Sequence, residues 1–147
     1  MQLSRNRESH AKDMTIKLRE ELEGNEFRFE SKRYELVVKL RKNWADEHSP
    51  QIHKKLANIL HVNAPLHTID LDGNRIDKAD ARKLEGSLKD QKWLSTLKLA
   101  RNELGDVGAI SIAEALQSNE RLTSLALLCN NIEKVGVEAL GKALKVN

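Results

Sequence analysis

The sequence predicts an α/β fold, a stack of strand, loop and helix units with a helical segment in front of it. Leucines and isoleucines return at a constant spacing of 28 residues from Leu66 onward, as in Leu66, Leu94 and Leu122. The apolar period also changes inside each unit. Positions 66, 69 and 71 suit a short strand with one buried face, whereas 84 and 88 lie four apart on one side of a helix. Upstream, apolar stripes at spacings of three and four run through densely charged sequence, which predicts amphipathic helices.

Taken in chain order, residues 1–47 form the charged segment. Ala11, Met14, Leu18 and Leu22 mark one face of a helix over Ser9–Glu23, and Gly24-Asn25 supplies its stop. Leu36, Val37, Leu40 and Trp44 give a second stripe, predicted as another helix. These helices either cap the same domain or form a docking or coiled-coil arm. In residues 48–65, Ser49 is a suitable cap and Pro50 a suitable first residue for a helix reaching about His61. Leu56, Leu60 and Asn63 lie 28 residues before Leu84, Leu88 and Gln91, so this stretch reads as the helical half of a degenerate repeat that caps the first strand.

Residues 66–147 then hold three units, 66–93, 94–121 and 122–147. Leu66-His-Thr-Ile69-Asp-Leu71-Asp-Gly-Asn74-Arg-Ile76 aligns with Leu94-Ser-Thr-Leu97-Lys-Leu99-Ala-Arg-Asn102-Glu-Leu104 and with Leu122-Thr-Ser-Leu125-Ala-Leu127-Leu-Cys-Asn130-Asn-Ile132. The helical halves align as well, through Leu84, Ile112 and Leu140, then Leu88, Leu116 and Leu144. A lone unit cannot bury its apolar edge, whereas stacked units share a core between a strand layer and a helix layer. Asn74, Asn102 and Asn130 fall where the chain leaves each strand. There a side-chain amide can bridge backbone groups of adjacent turns, so these residues are expected to be structural.

The pattern Leu-x-x-Leu-x-Leu-x-x-Asn-x-Leu at this period resembles the ribonuclease-inhibitor class of leucine-rich repeats. That class is shared by Ran GTPase-activating proteins, tropomodulins, NOD-like receptor sensors and axonemal proteins. The resemblance spans Leu66 to Asn147 and implies a right-handed solenoid with parallel strands on the concave side and helices on the convex side. It implies a scaffold more strongly than an activity. The third unit stops before a fourth strand or polar cap, so either more of a longer protein or a partner is expected over Leu140 and Leu144.

Composition narrows function. The chain has 147 residues, 39% hydrophobic and 32% charged, enough for one domain with an appendage. Its 25 basic and 22 acidic residues are interspersed, which makes no case for a nucleic-acid surface. Cys129 is the sole cysteine, so no intrachain disulfide forms. It is expected to be a semi-buried structural thiol, since no Lys, Arg or His within two positions would lower its pKa. No run approaches the roughly 18 apolar residues of a membrane span, and the N-terminus lacks a secretory h-region. The expected location is cytoplasmic, with cytoskeletal or ciliary assemblies favoured by family analogy.

Searching for chemistry returns little. His10, His48, His53, His61 and His67 show no zinc-site spacing, and neither a phosphate loop nor a nucleophile elbow occurs. The expectation is a non-enzyme without cofactor, metal, nucleic-acid, membrane or small-molecule ligand. Protein partners are expected to meet the concave face. There Thr68, Asp70 and Asp72, then Thr96, Lys98 and Ala100, then Ser124, Ala126 and Leu128 alternate with the buried leucines. The surface should pass from acidic to basic to apolar, with Arg75 and Arg101 at the strand exits. The predicted partner-binding residues are Asp70, Asp72, Lys98, Arg101, Ala126 and Leu128. A GTPase regulator resembling the Ran activator and a repeat fragment of a NOD-like sensor are the alternatives to an interaction protein.

Overall fold

A computed structural model describes residues 26–30, 35–39, 60 and 66–146, the first two ranges by backbone course. Strands β3 (Leu66–Asp70), β4 (Thr96–Lys98) and β5 (Ser124–Ala126) lie side by side and parallel. Their register aligns Thr68, Thr96 and Ser124, then Ile69, Leu97 and Leu125, then Asp70, Lys98 and Ala126. Every partner is thus the repeat equivalent, and the 28-residue period is also the spatial period. Helices α1 (Lys78–Lys89), α2 (Gly105–Leu116) and α3 (Lys134–Ala143) return each chain segment to the next strand, α1 packing on α2 and α2 on α3.

The strand pattern predicted for the repeats is therefore present, whereas one upstream expectation needs correction. Glu35–Lys39 is a strand, β2, rather than part of a helix carrying Leu36, Val37 and Leu40. It pairs antiparallel with β1 (Glu26–Glu30) and parallel with β3, with a register shift between Leu36 and Val37. The sheet order is β1-β2-β3-β4-β5. The physical reason is legible afterwards: Glu-Phe-Arg-Phe-Glu alternates with period two, and Leu-Val-Val carries two β-branched residues that favour an extended chain. The predicted helix over Ser9–Glu23 lies outside the described residues. So does most of the Pro50–His61 helix, but Leu60 is helical and buried in the core.

The core fills the space between sheet and helices. Leu66, Ile69, Leu71, Ile76, Leu84 and Leu88 of the first coil and Leu94, Leu97, Leu99, Leu104, Ile112 and Leu116 of the second are all buried. Fully burying one such side chain contributes about 1.5–3 kcal/mol, so the coils are held together mainly by this shared layer. The third coil is covered on one side only. Leu125, Leu127 and Leu140 are partly buried, and Leu144 is 67% exposed where Leu88 and Leu116 are 3% and 4%.

Two polar ladders run through the stack at the same period. The Asn102 Oδ1 accepts the N–H groups of Asn74 (3.0 Å) and Ile76 (2.9 Å) in the preceding coil. Its Nδ2 donates to the carbonyls of Leu71 (3.0 Å), Leu99 (2.9 Å) and Ala100 (3.2 Å). Asn130 repeats the motif more loosely, its Oδ1 taking the Leu104 N–H at 3.4 Å and its Nδ2 reaching Leu99 and Leu127 carbonyls. At the opposite end of the coil, where each helix hands over to the next strand, Asn119 Nδ2 donates to the Leu88 carbonyl (2.6 Å). Its Oδ1 accepts from the N–H groups of Arg121 and Leu122, both at 2.8 Å. Gln91, its equivalent, donates to the Leu60 carbonyl. Both ladders satisfy backbone groups that the core would otherwise leave unpaired.

Helix starts differ between coils. Asp77 caps α1 by accepting from Ala79 (2.7 Å) and Asp80 (2.9 Å), while Asp80 reciprocates to the Asp77 N–H, a capping box. The start of α3 has no side-chain cap of its own. Instead Asp106, in the first turn of α2, accepts from the N–H groups of Glu133 (2.7 Å) and Gly136 (3.0 Å). Gly136 is required there: a Cβ would stand 2.7 Å from the Asp106 carboxylate and 2.7 Å from Ile132.

Candidate interaction surface

Residues alternating with the buried leucines of β3, β4 and β5 form the sheet face turned away from the helices. Thr68 and Thr96 are half-buried, Ser124 is exposed, and all three share one row of the register. In the next row Asp70, Lys98 and Ala126 stand opposite one another. The strands are short, so the loops that follow widen this face with Asp72, Leu128 and the strand-exit arginines.

The expected progression from acidic to basic to apolar is altered by pairing. Asp70 Oδ2 lies 3.4 Å from Lys98 Nζ, and its Oδ1 accepts the Asp72 N–H at 3.2 Å. Asp72 in turn accepts the Ala100 N–H at 2.8 Å, which ties the first coil to the second. Both carboxylates therefore hold the loops as well as colouring the surface, because a residue leaving a strand exposes amides that a short acid can reach. Ala100, expected on the open face, is 6% exposed and belongs to the interior. β4 ends at Lys98, so strand alternation no longer sets which way residue 100 faces.

Beyond that pair the face is more open. Lys98 keeps 45% of its side chain accessible, Ala126 is half-buried, and Leu128 is 69% exposed. Arg101 is exposed, and Arg75 makes a distant ion pair with Glu103 (3.9 Å) at the same rim. The result is an exposed aliphatic side chain next to a lysine-bearing strand, bordered by arginine.

Cys129 departs from expectation: it is exposed, in a left-handed conformation with φ +57°. Its repeat equivalents Gly73 (φ +71°) and Arg101 (φ +55°) share that turn, so geometry rather than packing decides what the position does. Sequence reasoning also missed the Asp106 cap and the Gln91–Asn119 ladder. The 28-residue alignment of Gln91 with Asn119 was the available clue to the second.

No group of three or more His, Cys, Asp or Glu side chains among the described residues is placed to hold a metal ion. An open depression of about 310 Å³ between α2 and α3 is lined largely by Ile110, Ala113, Val135 and Ala139. A wider one of about 790 Å³ lies beside Trp93, Asn119 and Arg121. No helix among the described residues is long and apolar enough to cross a membrane.

Comparison with known proteins agrees with the fold. The family described as "Leucine Rich repeat" matches residues 91–113 and 118–141, so the chain contains leucine-rich repeats. Among solved structures, "Leiomodin-1 Actin-Binding Site 2 (ABS2)" is similar at a TM-score of 0.63 and 23% identity, over 74% of this chain. The chain spans 64% of the length of that structure. A tropomodulin C-terminal domain from Caenorhabditis elegans aligns over 92% of both chains at 12% identity and a TM-score of 0.42. No curated protein sequence matches.

Proposed function

We propose that this leucine-rich-repeat protein is a non-catalytic interaction module of the cytoskeleton, of the ribonuclease-inhibitor type, with actin or an actin-related subunit as its partner. The 28-residue period and strand-loop-helix coil support the subtype. One observation carries the function: a leucine at 69% exposure in the loop that leaves β5, next to the strand that bears Lys98, with the Arg101 N–H bonded to its carbonyl. An aliphatic anchor rimmed by cations suits an acidic protein surface, since such anchors lose water on contact while the rim orients the encounter. The leiomodin-1 structure of the same fold is titled an actin-binding site, which selects actin as the first partner to try.

Purified chain is mixed with monomeric actin in one series and with filaments in another, and binding is read by fluorescence anisotropy and co-sedimentation. The expected result is saturable binding that Leu128→Glu weakens by at least about tenfold, with Lys98→Glu adding a loss that grows at low salt. Absence of binding to both actin forms would refute the partner. Binding indifferent to both substitutions would refute the surface.

A further inference from the structure

We propose that Arg101 is the specificity-determining residue of the interaction surface, its guanidinium taking a carboxylate of an acidic protein partner; this role rests on the binding surface proposed above. The position itself asks for no side chain. Gly73, Arg101 and Cys129 are repeat equivalents at the strand exits, and all three are left-handed, with φ +71°, +55° and +57°. The glycine already makes the bond that the fold needs. Its N–H donates to the Ala100 carbonyl at 2.9 Å, just as the Arg101 N–H donates to the Leu128 carbonyl at 2.7 Å. Glycine enters the left-handed region freely, whereas an L side chain enters it against the steric cost of its Cβ. Arginine at 101 therefore works against its own backbone conformation.

Nothing within the repeats offsets that cost. Arg101 is exposed, and among the described residues its side chain makes no hydrogen bond or ion pair. The other cations of this surface are engaged: Lys98 Nζ lies 3.4 Å from Asp70 Oδ2, and Arg75 Nε lies 3.9 Å from Glu103 Oε1. An acid approaching Lys98 meets the Asp70 carboxylate already there, and like charges oppose each other. At Arg101 the same acid meets a cation with no such competitor. The planar guanidinium also matches a carboxylate with two parallel hydrogen bonds, which an ammonium cannot do. Position completes the case. Through its bond to the Leu128 carbonyl, the Arg101 backbone is one hydrogen bond from the exposed leucine, so a single partner surface can cover the aliphatic anchor and the fork together.

Arg101→Gly in the full chain tests this, because its two expected effects carry opposite signs. The melting temperature should rise by about 1–3 °C, since strain is relieved and part of the gain is lost to unfolded-state entropy. Binding to monomeric or filamentous actin should weaken by about tenfold. Arg101→Lys keeps the charge and the left-handed cost but loses the fork, so it should restore binding only in part and leave the melting temperature at the wild-type value. Weaker binding accompanied by an unchanged or lowered melting temperature in Arg101→Gly would overturn the proposal, because the arginine would then serve the fold. Full binding by Arg101→Lys would overturn recognition through the fork. Binding of Arg101→Gly within about twofold of wild type, where Leu128→Glu still weakens it, would overturn the role of Arg101 and leave the proposed surface standing. Absence of binding to both actin forms would overturn the two together.

Discussion

Replacing Asn102 by alanine should be among the most damaging changes in the repeats, and far more so than the same change at Asn130. The two asparagines are equivalent in sequence, but their positions in the stack are not. Asn102 Oδ1 serves two buried N–H groups at 3.0 and 2.9 Å, and its Nδ2 serves the Leu71 carbonyl at 3.0 Å. Alanine removes all three of these bonds, whereas the Leu99 carbonyl keeps its bond from Asn130 (2.6 Å). A buried polar group left unpaired costs about 1–3 kcal/mol, and some relaxation or hydration follows, so the expected loss is about 3–5 kcal/mol. Asn130 holds a single N–H of the neighbouring coil, at 3.4 Å, and lies against the open end, so its loss should be about 1–2 kcal/mol.

Urea unfolding followed by circular dichroism measures both, each midpoint shift being multiplied by a slope of about 1–3 kcal/mol per molar. Asn102→Asp separates the contributions, because it retains an acceptor for Asn74 and Ile76 while losing the donor. It should fall between wild type and Asn102→Ala. Equal losses at Asn102 and Asn130, or a loss below about 1 kcal/mol at Asn102, would refute the reasoning that buried backbone satisfaction, rather than the repeat consensus, sets the cost.

Three further outcomes follow from the geometry. Gly136→Ala should cost about 1–3 kcal/mol by thermal unfolding, since its Cβ collides with Asp106 and Ile132, whereas Gly86→Ala and Gly141→Ala, with open space around the added carbon, should stabilise by about 0.5–1 kcal/mol. Cys129→Gly should stabilise by about 0.5 kcal/mol, because a left-handed non-glycine residue costs about 1–2 kcal/mol and glycine returns part of that gain as unfolded-state entropy; an unchanged melting temperature would count against strain at this turn. Burial raises the Asp80 carboxyl above its ordinary value, outweighing the hydrogen bond from the Asp77 backbone. The folded state then holds the proton more tightly than the unfolded state, so ionisation of Asp80 opposes folding above the raised value and this penalty disappears as pH falls below the ordinary one. Asp80→Asn should therefore gain relative to wild type as pH rises through that window, read from urea midpoints between pH 3 and pH 7; a gain that grows on acidification would contradict it.

How much of this was legible in the sequence depends on where the determining partners lie. The coil boundaries, the buried leucines and the asparagine positions were readable because each is set by spacing along the chain. Leu36 and Val37 were misassigned because two adjacent apolar residues fit a helical stripe and a strand equally well; the pairing with β1 and β3 decides between them. Asp72 looked like surface charge, since the amide it accepts from belongs to residue 100 and no local pattern connects the two. Ala100 was assigned to the outer face by strict alternation, but β4 ends at Lys98 and alternation ends with it. Leu128 holds the repeat position of Ala100, two residues past the end of β5, so its exposure is likewise not set by strand alternation.

The borrowed cap makes α3 depend on its neighbour in a way that α1 does not. The first turn of α1 is closed by its own capping box, whereas the first turn of α3 takes its side-chain acceptor from Asp106 of the preceding coil. A change that displaces Asp106 would therefore leave two N–H groups at the start of the last helix without their acceptor, and would be felt one coil away from where it was made.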